Sequence, residues 1–138
     1  MNKSTYVISY SALLMELGID ARLRDEDIVE LTGDQLRSLV KRLLVYIAVD
    51  ETWYRSTYSD IDRAIRSGEV PSAKQHFVSD GYFEDRLPCK VLVDEEFYTR
   101  RYPDVAQRID DGEIDSAQEH FESHGFSEGR LPFEIADR

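Results

Sequence analysis

The chain of 138 residues is long enough for one ordinary domain or two small units, and its composition, 41% hydrophobic and 11% aromatic, is typical of a folded protein. Its formal net charge is −11 and its pI is near 4.6. This charge argues against nucleic acid and against an anionic membrane surface as partners, because both attract clustered Lys and Arg. Cys89 is the single cysteine, which excludes an intramolecular disulfide.

The charge is unevenly distributed along the chain. Residues 1–48 carry six basic and seven acidic side chains, whereas residues 49–138 carry 11 basic and 21 acidic ones, a net charge of −10. The acidic part is either a docking surface for a basic protein partner or a means to solubility alone. The N-terminal sequence lacks the apolar core of a signal peptide, and no apolar stretch approaches the roughly 18 residues of a membrane helix. We therefore expect a cytoplasmic protein without membrane insertion.

Two helices are predicted near the N-terminus. The first covers residues 11–17 and ends at Gly18, while residues 5–10 fit either a strand or the start of that helix. Thr32 and Gln35 form a capping box at the start of a longer helix. Its apolar positions follow an i, i+3, i+4, i+7, i+8, i+11 pattern: Leu36, Leu39, Val40, Leu43, Leu44 and Ile47. This face predicts packing on the following part of the chain or, alternatively, a homodimer seam.

Residues 49–88 and 93–132 align without a gap, and 19 of the 40 positions are identical. A repeat of this length is typical of a supersecondary unit that buries its apolar face against a copy of itself. Two copies are fewer than the three or so that such an array normally needs. The sequence therefore predicts an all-α protein with two helical units, preceded by residues 1–48 as an N-terminal helical cap or a dimerisation segment.

Three short helices are predicted in each unit. Asp50 is an N-cap for the first, and the second, near residues 60–67, ends at Gly68, since a left-handed residue costs glycine little. Ser72 begins the third with a capping box to Gln75, and Gly81 ends it. The corresponding residues of the second unit are Asp94, Gly112, Ser116, Glu119 and Gly125. Pro103 opens the helix near residues 104–111, and residues 90–93 between the units fit a short strand.

Candidate ligands and catalytic groups are few. His76 and His120 have no Cys pair or H-x-x-x-H beside them, so a zinc site is not predicted. Their place beside a core phenylalanine favours an imidazole that packs on aromatic rings and hydrogen-bonds the backbone of a turn. His124 is expected at the surface, and an EF-hand in residues 107–118 fails because its first, third and last positions would be Gln107, Ile109 and Gln118, none of which is a carboxylate. We predict no enzyme activity, cofactor or metal.

A Glu and an Arg recur before each Leu-Pro pair, as Glu84 with Arg86 and Glu128 with Arg130. Because a catalytic pair is not usually needed twice, the duplication favours charge-assisted hydrogen bonds that tie a loop to a neighbouring helix. The residues expected to hold the repeats together are Tyr54, Tyr58, His76, Phe77, Arg86, Tyr98, Tyr102, His120, Phe121 and Arg130.

The repeat resembles a short bacterial module with the running pattern Y-x-x-x-Y-P-D-V, then G, then S-A-x-x-H-F, then G-x-x-E-G-R-x-P. Residues 98–105 and 116–132 carry the resemblance best, and the first copy departs from it at Ser59 and Asp85, where the pattern has Pro and Gly. Such modules are accessory segments of bacterial glycosyltransferases, polysaccharide-related proteins and secreted repeat proteins. The resemblance implies a helical accessory role and no catalytic residue.

The leading functional prediction is a non-enzymatic interaction or scaffold module that presents its acidic repeat surface to a protein partner, accessory to polysaccharide or secretion machinery. The candidate partner-binding residues are Tyr82, Phe126, Asp110, Asp111 and Asp115. One alternative is a carbohydrate-binding module that uses Trp53 or Phe97 with a neighbouring Tyr. Another is a small acidic chaperone for a secreted protein, dimeric through residues 36–47.

Overall fold

The computed structural model describes residues 6–136, and every regular element in that range is helical. The first helices are α1 (Tyr10–Glu16), α2 (Gly33–Leu44), α3 (Glu51–Thr57), α4 (Ser59–Arg66) and α5 (Ala73–Ser79). A 3-10 helix (Gly81–Glu84) follows α5, and then come α6 (Glu95–Arg101), α7 (Pro103–Asp110) and α8 (Ala117–His120), which continues into a π-helical turn (Phe121–Gly125). The all-α prediction is confirmed, while residues 90–93 are irregular rather than a strand.

The predicted helix starts are mostly confirmed, because they depend on partners three residues away. Asp50 accepts a hydrogen bond from the Trp53 amide, and Thr32 and Gln35 form both halves of their capping box. The boxes predicted at α5 and α8 are only half formed. Ser72 accepts from the amide three residues on, but the carboxylate of Glu119 accepts from the amide of Asp115 instead of that of its own N-cap.

Two aromatic clusters form the interior, where the sequence predicted a single face buried between two copies. One cluster contains Leu44, Tyr54, Ile61, Ala73 and Phe77, and the other contains Leu87, Tyr98, Val105, Ala117 and Phe121. Trp53 is partly buried and packs against both. Each set of three short helices therefore encloses its own core, since its tyrosine and phenylalanine already fill the space between them. The direct contribution of the first set to the second core is Trp53 and Leu87.

The long amphipathic helix α2 lies against α5 through one edge of its apolar face. Val40 and Leu44 reach the first cluster, and the guanidinium of Arg37 stacks 4.0 Å from the centre of the Phe83 ring. Leu36 and Leu43 stay 52% and 43% exposed. The helix is thus turned so that its edge, rather than the centre of its predicted stripe, contacts the core.

The N-terminal helices contact each other at the opposite side of α2. Leu39 borders a hollow of about 300 Å³ with Leu13 and Leu17 of the α1 region. The guanidinium of Arg42 donates to the carboxylate of Glu16 at 2.8 Å. α1 begins at Tyr10, so residues 6–9 are neither strand nor helix, and residue 5 of that prediction lies outside the described residues.

Candidate functional site

A buried tyrosine and a buried histidine meet at the centre of each cluster. The hydroxyl of Tyr54 and Nδ1 of His76 share a hydrogen bond of 2.9 Å, and Tyr98 and His120 share one of 2.8 Å. The prediction of a bond from imidazole to a turn backbone is wrong, because the phenol 22 residues earlier in the chain occupies that position. Burial raises the pKa of Tyr54, and it raises the pKa of Tyr98 to about 12. Burial also lowers the pKa of His120, which favours the neutral imidazole.

Gly81 and Gly125, five residues after each histidine, stand where their helices end, as predicted, and they also have a packing role. A Cβ on Gly81 would lie 2.2 Å from the Tyr54 hydroxyl oxygen, and one on Gly125 would lie 2.1 Å from that of Tyr98. Neither glycine has a positive φ. Glycine is needed here because the tyrosine hydroxyl occupies the space of a side chain, whereas Gly68 has φ of 82° and ends α4 as predicted.

An arginine clamps the end of each unit, as the sequence predicted. Both terminal nitrogens of Arg86 donate to the carboxylate of Asp60, at 3.0 and 2.8 Å, and its Nε donates to Glu84 at 2.7 Å. The guanidinium also lies 4.9 Å from the centre of the Tyr58 ring. This bidentate pair lowers the pKa of Asp60 to about 2.

The second clamp repeats the first. Arg130 binds Asp104 through two bonds of 2.9 and 2.8 Å and Glu128 through one of 2.7 Å. Hydrogen bonds from Arg130 likewise lower the pKa of Asp104. Beside each clamp, a tyrosine hydroxyl accepts from a leucine amide: Tyr58 from Leu87, and Tyr102 from Leu131. These geometries support a structural role for the positions at which the two copies are identical.

A glutamate in each unit links two helices through hydrogen bonds that the sequence did not predict. The carboxylate of Glu51 in α3 accepts from the amides of Ala73 and Lys74, both at 3.0 Å, and so caps the start of α5. Glu95 makes the same two bonds to Ala117 and Gln118. The sequence signal was its identity in both copies, but an acid in the first turn of a helix is usually assigned to the dipole of its own helix.

The junction between the two sets of helices contains a small cavity. It holds about 180 Å³ and is lined by Trp53, Thr57, Tyr58, Leu87, Lys90 and Glu122. Trp53 packs edge-on against Tyr58, with ring centres 6.0 Å apart, while Lys90 pairs with Glu122 across the junction. The counterpart of Trp53 in the second unit, Phe97, is only 9% exposed. Both aromatics proposed to stack on a sugar border a cavity, since Phe97 lines a separate one of about 220 Å³ with Arg101 and Leu131.

The remaining predicted binding residues lie apart from this cavity. Asp110, Asp111 and Asp115 are all exposed on the turn between α7 and α8. Tyr82 is 42% exposed, but Phe126 is partly buried against Phe121, at 6.1 Å between ring centres. Tyr82 is therefore accessible as a contact residue, and Phe126 contributes mainly to the second core.

Residues 6–136 contain neither a metal-binding cluster nor a membrane-spanning helix. No group of three or more His, Cys, Asp or Glu side chains in this range is arranged to hold a metal ion. Among the same residues, no helix has the length and the apolar character needed to cross a bilayer. His124 is exposed and stacks on His120, with ring centres 5.9 Å apart.

Comparison of the chain with protein-family models, with curated proteins and with solved structures found no match.

Proposed function

We propose that this chain is a non-enzymatic protein-interaction module, in which an N-terminal helical cap and two tandem helical units present an acidic surface to a protein partner. The unit boundaries, 49–88 and 93–132, are supported by hydrogen bonds that recur 44 residues apart. In each unit the amide of its second residue also donates to the carbonyl of its final proline: Asp50 to Pro88, and Asp94 to Pro132. Each unit thus closes on itself.

The cap assignment is supported by the origin of one leucine in each core. Leu44 enters the first core from α2, and Leu87 enters the second core from the end of the first unit. α2 therefore contributes a leucine to the core of the first unit in the same way that the first unit contributes one to the core of the second. This arrangement suits a short array, because an end unit needs a cover for the apolar surface that a neighbour would otherwise bury.

The observation that carries the proposed function is the exposed turn between α7 and α8. Its aspartates, Asp110, Asp111 and Asp115, have Arg66, Ser67 and Pro71 as counterparts in the first unit. Both turns contain a left-handed glycine, with φ of 82° at Gly68 and 73° at Gly112. Because the same turn forms without the aspartates, the fold does not need them. Their negative charge instead favours attraction of a basic surface.

The bacterial module that the repeat resembles suggests the kind of machinery to which the partner belongs. Accessory segments of that kind occur with polysaccharide and secretion proteins, so we infer a partner within such machinery. The acidic surface would then raise the rate of encounter with a basic site, an effect that salt screens at separations beyond the Debye length, about 8 Å at physiological ionic strength.

Charge reversal tests this proposal directly. Asp110→Lys, Asp111→Lys and Asp115→Lys together should reduce recovery of specific partners from an extract of the source cells, and added salt should reduce the recovery by wild type. The control carries Asp25→Lys, Glu26→Lys and Glu30→Lys, which change the net charge equally but lie outside the units. Equal recovery by both variants and wild type would refute the acidic surface as the binding site, provided circular dichroism shows that both variants are folded.

Carbohydrate binding is a second candidate, favoured by the cavity beside Trp53. An indole face and a Lys–Glu pair match the apolar ring face and the hydroxyls of a pyranose. Since Trp53 is the only tryptophan, its fluorescence reports on this cavity alone. Glycans should change the emission of wild type at low and high salt and should have a smaller effect on a Lys90→Ala variant. Unchanged wild-type emission across a glycan panel would argue against this candidate.

A further inference from the structure

The apolar centre of α2 is left uncovered by the rest of the described chain. Leu36 and Leu43 are seven residues apart, two helical turns, so they lie on one stripe within about 20° of each other. They are 52% and 43% exposed, and Ile47, in the turn after α2, is 43% exposed. On one side of this stripe α2 contacts the first unit through Leu44, and on the other Leu39 faces α1. The stripe therefore points away from both intramolecular neighbours.

The surrounding segment is also rich in exposed apolar side chains. Among residues 6–136, fifteen large hydrophobic side chains are exposed, and eleven of them lie in residues 6–47. Apolar surface concentrated in this way marks association sites, since an isolated soluble chain gains stability by covering it. Scattered exposed residues elsewhere, such as Leu92, need no such explanation.

The pattern of the stripe is self-complementary. In an antiparallel pair of α2 segments related by a two-fold axis, exposed Leu36 opposes exposed Ile47, and exposed Leu43 opposes the half-buried Val40 of the other copy, since both pairs are equally spaced in sequence about the same midpoint. Every exposed apolar position of the stripe thus meets an apolar position, as an isologous interface requires, while Leu39 and Leu44 stay with α1 and the first core. The antiparallel arrangement also brings the positive end of each helix dipole beside the negative end of the other.

Charge favours a second copy at this place over contact through the units. Residues 49–138 carry a net charge of −10, so two copies that met through the units would repel each other. Residues 1–48 carry a net charge of only −1, and α2 itself has one acid, Asp34, and three bases, Arg37, Lys41 and Arg42. Association through α2 joins the least acidic parts of the two chains.

We propose that the exposed stripe of α2, Leu36 with Leu43 and Ile47, is covered by α2 of a second copy of this chain in an antiparallel two-fold dimer. This inference does not depend on the acidic binding surface, because the aspartates of that surface lie in the second unit. A dimer formed in this way presents two acidic surfaces, and two linked sites raise the apparent affinity for a partner with repeated basic sites.

Sedimentation over a range of protein concentrations tests the dimer. Wild type, at 16.0 kDa per chain, should sediment at twice that mass, and Leu36→Glu with Leu43→Glu should weaken self-association more than about 100-fold. The control carries Met15→Glu and Ile28→Glu, which change the charge equally at side chains 79% and 90% exposed, outside the stripe. A wild type that stays monomeric, or a dimer that both variants weaken equally, overturns the proposal.

Cysteine cross-linking tests the antiparallel register. In a Cys89→Ser background, Leu36→Cys with Ile47→Cys should yield disulfide-linked dimers under mild oxidation. A disulfide within one chain would leave the mass at 16.0 kDa on a denaturing gel, so only the band at twice that mass counts as a link between two copies. Leu36→Cys alone and Ile47→Cys alone serve as controls and should cross-link far less. Efficient cross-linking by either single variant, or none by the pair, overturns the register.

Discussion

The hydroxyl of Tyr54 lies 2.9 Å from Nδ1 of His76 and occupies the space that a Cβ on Gly81 would take, 2.2 Å from the oxygen. Tyr98, His120 and Gly125 repeat this relationship. Tyr54 and Tyr98 are 0% exposed, so neither ring has room to withdraw. The three residues act together, since the glycine permits the close approach that the hydrogen bond needs.

Gly81→Ala should therefore destabilise the fold by about 1–3 kcal/mol, the usual cost of forcing extra volume into a packed core. Denaturant unfolding measures this change. Gly33→Ala is the control, because nothing lies within 4 Å of a Cβ there and alanine favours the start of α2. Tyr54→Phe should cost less in the Gly81→Ala background than in wild type, since it removes the clashing oxygen. Equal effects of the two glycine substitutions would contradict this account.

Arg86→Lys should destabilise the fold by about 1–2 kcal/mol. Lysine keeps the charge but loses the bidentate contact with Asp60 and the stacking on Tyr58. The magnitude is reduced because the Asp60 side chain is 52% exposed and solvent screens the pair. Arg66→Lys, whose side chain is 74% exposed, should change the free energy of unfolding by less than about 0.5 kcal/mol. If both substitutions have the same effect, the clamp does not hold the unit.

Stability should fall in two steps as the pH is lowered. Burial holds the pKa of His120 below 6.5, so the unfolded chain takes up a proton first and stability decreases as the pH falls below 6.5. The pKa values of Asp60 and Asp104 lie below 3.8 in the folded state. Their contribution is complete above 3.8 and is lost as the pH falls through the folded pKa, about 2 for Asp60.

Unfolding free energies measured between pH 8 and pH 2 test the two steps, and one variant isolates each. His120→Asn should flatten the first step, and Asp60→Asn should reduce the second while leaving the first unchanged. A pH profile of His120→Asn that coincides in slope with wild type between pH 6.5 and 5 would show that another group controls that step.

Ser59→Pro should stabilise the fold by about 0.4–1 kcal/mol, because proline restricts the unfolded chain. Pro103 already occupies the equivalent first position of α7. The preceding residues have similar backbones, with φ and ψ of −112° and 84° at Tyr58 and of −119° and 80° at Tyr102, which a following proline tolerates. Thermal unfolding measures the gain. Ser56→Pro, inside α3, is the contrasting control and should cost about 3 kcal/mol or more.

Asp85 and Gly129 occupy equivalent positions in the two copies and show whether different residues there keep the same backbone conformation. Both adopt a left-handed backbone, with φ of 58° and 76°. The sequence difference was visible, but only the structure shows that the aspartate keeps the conformation that glycine adopts easily, as Asp and Asn do more readily than most residues. Two copies that differ in a residue can therefore share its backbone conformation.

The sequence by itself determined the helical class and the ends of helices, because caps such as Asp50 and Gly68 act on partners within a few residues of the chain. It also determined that Arg86 and Arg130 would be clamps, since the two copies repeat them. Only the tertiary structure decided that Tyr54 binds His76, that Glu51 caps α5, and that α2 turns the centre of its apolar stripe away from the core. Each depends on groups brought together from distant positions, and for α2 the stacking of Arg37 on Phe83 and the entry of Leu44 outweigh the burial of Leu36 and Leu43.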